Sequence, residues 1–132
     1  MVFPFDYVEK IDPKYIDSPN INFSLEYNED DEELYKKQRI ERGFDDTELW
    51  SLDYTISRFI IPRLKAYNKY NVNSVPSMVD SEELWHLYLN KMIKAFEICC
   101  DDDYMVGYDK ELDKEKEEGL YLFSKYFQCL WD

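Results

Sequence analysis

The stretch SEELWHLYLNKMIKAFEIC, residues 81–99, places Trp85, Tyr88, Leu89, Met92, Ile93 and Phe96 at alternating steps of three and one. Only a helix brings positions so spaced onto one side, and a helix with such a stripe must bury it. Asp80 and Glu83 have the separation of a capping box, which places the start of this helix, and the acidic run after Cys99 places its end. A second stripe, Leu49, Leu52, Ile56, Phe59, Ile60 and Leu64, predicts one long helix over residues 43–70, opening at Asp45 or Asp46, with Glu48 three residues beyond Asp45. Residues 109–131 predict another helix, almost wholly charged in DKELDKEKEEG and apolar nearly all round in LYLFSKYFQCLW. Such an end requires neighbours or a partner on several sides. Gly119 marks the change, and the expected gain from a glycine there is close approach of another backbone.

Two residues interrupt the second stripe. Asp53 falls on the same face as Leu49, Ile56 and Ile60. Pro62 lacks a backbone donor and is expected to bend the helix near Arg58. We read both as structural: Asp53 is expected to anchor the bend or the N-terminal segment through a buried or rim hydrogen bond. Arg39, Arg42, Lys91 and Lys94 are its candidate cationic partners. A shorter helix is expected over residues 30–42, DDEELYKKQRIER, with acids first, bases last, Leu34 and Ile40 as anchors and Gly43 as the stop. Residues 1–28 contain Pro4, Pro13 and Pro19, and alternate Phe3, Phe5, Tyr7 and then Ile21, Phe23, Leu25, Tyr27. That period of two predicts an extended arm or a two-stranded ribbon. An arm would dock its aromatics on the chain's own core or on a second subunit. Three glycines in 132 residues disfavour a turn-dense all-β fold. The expected fold is therefore mainly α: a small helical bundle of three longer helices and one short one over residues 30–132. With the N-terminal segment it forms a single domain spanning residues 1–132.

The chain carries 16 basic and 29 acidic residues, a net charge of −13. Such a field repels free nucleic acid and anionic membrane and favours basic protein partners. Plain solubility is the alternative use of the same charge. Residues 29–33, with Glu29, Asp30, Asp31, Glu32 and Glu33, and the run Asp101, Asp102 and Asp103 are the densest acidic patches. Carboxylates held on a rigid helical surface can imitate a phosphate backbone, and these residues form the expected partner-binding face. Cys99, Cys100 and Cys129 are odd in number and make no disulfide framework, which implies a reducing compartment. The first residues, MVFPFDYVEK, show no signal peptide, and no stretch approaches a membrane span.

Candidate reactive groups are few. His86 is the single histidine and falls off its helix stripe, toward Glu82 and Asn90. With no C-x-x-C, no H-E-x-x-H and no paired Glu-x-x-His, no metal site is expected. The acidic run after Cys100 raises a thiol pKa by like-charge repulsion, so no cysteine nucleophile is expected either. Phosphate-loop, dinucleotide and G-x-S-x-G patterns are absent from the sequence. We therefore expect no catalytic residues, no cofactor and no enzyme. Arg58, Arg63, Lys65 and Lys69, interleaved with Tyr67 and Tyr70, could hold a nucleotide. The same bases also suit a helix C-terminus on dipole grounds alone. In the ligand reading Arg58, Arg63, Lys65 and Tyr67 are the site.

Three blocks, GFDDTELWSLDYTISRFIIPRLKAY, KMIKAFE and EGLYLFSKYFQCLWD, resemble a family of small acidic proteins of tailed bacteriophages. The resemblance covers residues 43–132. It brings no activity and no catalytic residues. It implies a phage origin and action in the cytoplasm of an infected bacterium. The resulting expectation is a non-enzymatic accessory protein that binds a basic host or defence protein through its acidic face and inhibits or redirects nucleic-acid handling. It would contact neither nucleic acid directly nor membrane. A nucleotide-binding or sponge module, and a structural or assembly protein acting as a homo-oligomer, are the alternatives.

Overall fold

In the computed structural model, which describes residues 32–70, 75–101 and 109–131, 81% of the described residues are helical and none lies in a strand. The arm or ribbon expected over residues 1–28 falls outside them. The helices are α1 (Glu32–Arg42), α2 (Thr47–Trp50), α3 (Leu52–Tyr70), α4 (Glu82–Cys99) and α5 (Lys110–Tyr126), and a 3-10 turn, Phe127–Cys129, closes the chain. The described residues group into two compact units that divide between Phe59 and Ile60.

The unit over residues 60–131 is built on the α4 stripe. Ser81 caps α4, its hydroxyl accepting from the Leu84 amide at 3.0 Å. This shifts the cap one residue from the expected Asp80. The buried side chains of α4 are Trp85, Leu89, Met92, Ile93, Ala95, Phe96 and Ile98, so the periodicity located the core. Each of the larger aliphatic and phenyl side chains contributes about 1.5–3 kcal/mol relative to full exposure. Asp109 caps α5, accepting from the Glu111 and Leu112 amides. α5 then lies along α4. Phe123 meets Phe96 edge-on at 5.0 Å, and Tyr126 meets Trp85 edge-on at 5.6 Å while stacking on Tyr88. Gly119 is the point of closest approach: a Cβ there would overlap the Lys91 carbonyl oxygen and the Ala95 side chain. The expected reason for this glycine is thus met.

Leu64 of α3 and Val79 complete the core, with Ile60, Ile61 and Tyr67 packed against it. α3 runs on through Pro62, which is exposed. Among the described residues, the chain itself covers one side of the end of α5, which leaves the other side to the partner that the sequence offers as the alternative. Leu122 and Tyr126 are buried, whereas Tyr121, Phe127 and Trp131 stand 60–68% exposed. One helix face suffices to close this core, so the opposite face of the apolar run stays outside.

The unit over residues 32–59 is assembled differently. α1 ends as expected at Gly43, which adopts φ 87° and donates its amide to the Arg39 carbonyl at 2.9 Å. The expected anchors are corrected: Leu34 and Ile40 are 51% and 41% exposed, and Tyr35 and Arg39 are buried. Residues six apart do not share a helix face, whereas residues four apart do. The single long helix expected over residues 43–70 is likewise corrected. It breaks at Ser51, whose backbone takes φ −137° and ψ 79°. The Thr55 hydroxyl donates to the Glu48 carbonyl at 2.8 Å and satisfies a group that the break would orphan. Asp53 is exposed in the first turn of α3, where the helix dipole favours a carboxylate, and the N-terminal segment it was expected to anchor lies outside the described residues.

Candidate functional site

Within the unit over residues 32–59, the interior is charged. Asp45 is 2% exposed and accepts from Arg39 Nη1 at 2.8 Å through Oδ2. Its Oδ1 accepts from the Thr47 amide at 2.9 Å and from the Thr47 hydroxyl. The Asp45 amide donates to Glu48 Oε2 at 2.6 Å, which is the reciprocal half of the expected capping box. Burial raises the Glu48 carboxyl above its ordinary range, partly offset by that amide. Beside this pair, the Arg42 guanidinium and the Gln38 amide hold Asp46 below the usual carboxylate range.

Among the described residues of this unit, Tyr35 is buried, whereas several other apolar side chains are exposed. Leu49, Leu52 and Ile56 are half exposed and Trp50 is 69% exposed, its ring edge-on to Tyr35 at 6.3 Å. Leu52 and Ile56 share a helix face by their spacing of four. Isolated exposed leucines are ordinary, but a tryptophan with three aliphatic neighbours in an eight-residue stretch is the composition of a docking surface.

Within the unit over residues 60–131, two polar rows face one another. α3 contributes Lys65, Asn68 and Lys69, and α4 contributes His86, Asn90, Ile93, Lys94 and Glu97; together they line an open groove of about 560 Å³. Asn68 Nδ2 donates to Asn90 Oδ1 at 2.9 Å, and Asn68 Oδ1 accepts from His86 Nδ1. That pairing directs Nε2 of His86 toward Glu82, 3.5 Å away. Lys65 Nζ lies 3.6 Å from the Glu97 carboxylate. Among the described lining residues, three lysines stand with one carboxylate in an otherwise acidic chain.

The ligand residues expected from the sequence do not converge. Lys65 lines the groove, whereas Arg63 is exposed elsewhere on α3. Arg58 lies over the Tyr54 ring and donates to its hydroxyl at 2.8 Å. The Tyr67 hydroxyl donates to the Trp131 carbonyl at 2.9 Å and ties down the chain end. Sequence reasoning missed Asn68, Asn90 and Lys94 and left His86 without a role. The usable signal was the spacing of Lys65, Asn68 and Lys69 against His86, Asn90 and Lys94, each set on one helix face.

Of the expected acidic face, Glu29, Asp30, Asp31, Asp102 and Asp103 lie outside the described residues. Glu32 opens α1, and Glu33 and Asp101 are exposed. The described segments hold 18 of the 29 acidic residues and 14 of the 16 basic ones, so they carry −4 of the net −13. Their carboxylates are interleaved with bases, as in Lys91–Glu118 at 2.5 Å and Lys116–Asp113 at 3.1 Å. Among the described residues, no three His, Cys, Asp or Glu side chains gather as metal ligands, and no helix is long and apolar enough to cross a membrane. No family model matches the chain, and no curated protein or solved structure matches it.

Proposed function

We propose that this chain is a non-enzymatic accessory protein of a tailed phage. It docks on a basic host protein of nucleic-acid handling or defence and inhibits or redirects it. The observation that carries the docking is the inverted unit over residues 32–59, which holds Arg39, Asp45 and Glu48 inside and Leu49, Trp50, Leu52 and Ile56 outside. Covering those four side chains supplies affinity, with Trp50 as the anchor. The charge of the partner follows from composition: 29 acidic against 16 basic side chains favour encounter with a basic surface.

The test compares capture by the native chain and by a Trp50→Ser/Leu52→Ser variant from infected-cell lysate across a salt series. The expected result is a basic protein retained by the native chain, lost by the variant and released progressively by salt. Capture unchanged by the double substitution would exclude this face. A dimeric mass in light scattering that reverts to one chain in the variant would replace the host protein with a second copy.

A further inference from the structure

We propose that the groove between α3 and α4 binds the phosphate groups of a small polyphosphorylated molecule, a function separate from protein docking on the other unit. The donors suit that chemistry. Lys65, Lys69 and Lys94 act as point charges, and three of them match a polyanion rather than a single carboxylate. Lys65 is held to Glu97 only across 3.6 Å between two exposed groups, a pair that an incoming phosphate displaces at small cost. The asparagines are already oriented. Asn68 spends its carbonyl on His86 and one amide hydrogen on Asn90, which leaves the Asn90 amide nitrogen available to an anion.

What the groove lacks defines the ligand further. Among the described residues that line it, Ile93 is the one apolar side chain and none is aromatic, so these residues offer a base or other ring no stacking platform. Among the described lining residues Glu97 is the one carboxylate, against three lysines, a balance that disfavours cationic ligands. A volume of about 560 Å³ accommodates a triphosphate with room for its appended group. Recognition therefore rests on the phosphates and tolerates what they are attached to.

The experiment uses the full chain with sodium tripolyphosphate, ATP and adenosine, by thermal shift and titration calorimetry at low salt. Tripolyphosphate and ATP are expected to stabilise the protein to similar extents, as mass action requires of a ligand bound only by the folded state, and adenosine is expected to do nothing. Lys65→Ala/Lys94→Ala, both at exposed positions, is expected to weaken the two phosphate ligands by about tenfold or more while leaving the unliganded melting temperature in place. Lys114→Ala on α5 serves as the charge control and is expected to bind as the native chain does. Binding of adenosine alone, equal binding by the double variant, equal weakening by the Lys114 control, or no response to either phosphate ligand at millimolar concentration would each overturn the assignment.

Discussion

α4 buries seven side chains and all are apolar, whereas the segment from Tyr35 to Ser57 buries Arg39, Asp45, Glu48 and Ser57 with Tyr35 as its one buried apolar residue. The two regions do not differ for want of oily residues, since Ile40, Leu49, Trp50, Leu52 and Ile56 all occur in the second. They differ in the length over which a helix keeps its phase. Eighteen residues of α4 hold one stripe in line for five turns. α2 ends after four residues, and the break at Ser51 takes Leu49 and Trp50 out of register with Leu52 and Ile56. Among the described residues of the shorter region, the buried directional contact is the Arg39–Asp45–Glu48 cluster, which fixes geometry but carries a desolvation cost.

This contrast can be broken most directly at Asp45. Asp45→Ala leaves Arg39 buried without its carboxylate, and the expected loss is about 3–5 kcal/mol, read as faster amide exchange across residues 32–59. If exchange there is unchanged, the charged cluster does not organise the unit. Next in size is Leu89→Ala in the apolar core, expected to cost about 2–5 kcal/mol in urea unfolding. Its counterpart Leu52→Ala, at a half-exposed position, is expected to stay within about 0.5 kcal/mol. Equal losses from the two would erase the distinction between the regions.

The smallest effect is a pH dependence. Because burial raises Glu48, the folded chain holds that proton more tightly than the unfolded chain does. Its contribution therefore falls as pH rises from the ordinary value of 4.5 through the raised folded value, and the penalty is complete above it. Asp46 runs the other way: its lowered carboxyl contributes above 3.8, and that contribution is lost as pH falls. Glu48→Gln keeps an acceptor for the Asp45 amide and removes the ionisation. Urea midpoints between pH 4 and 7 should show the variant gaining on the native chain as pH rises, and parallel profiles would remove Glu48 as the source.

Much of the architecture was legible because it depends on period and punctuation. The α4 stripe, the Gly43 stop and the Asp45–Glu48 spacing are local patterns with local causes, while Gly119 was legible because a glycine inside a helix signals the approach of another backbone. The break at Ser51 was not read, because the apolar spacing continues through it. A serine followed two residues later by Asp53 is a helix-start signal in its own right. It also accounts for Asp53, which looked like a buried anchor only while one helix was assumed. The groove was half legible. Lys65 was named for its charge, but its companions come from α4, and no pattern along one helix says which face another helix will meet. Tyr67 was misassigned for the same reason, since its hydroxyl partner lies 64 residues away.

The missing side chain at position 119 has a consequence for how α4 and α5 can slide. Sliding α5 by one turn along its neighbour would set Glu115 or Lys116, or Leu122 or Phe123, against the Lys91 carbonyl, and any of them would force the rods apart. A notch one methyl group deep thus works as an indexing mark. It selects a single axial setting from several that the oily surfaces alone would tolerate, and with it the pairing of Phe96 with Phe123 and of Trp85 with Tyr126.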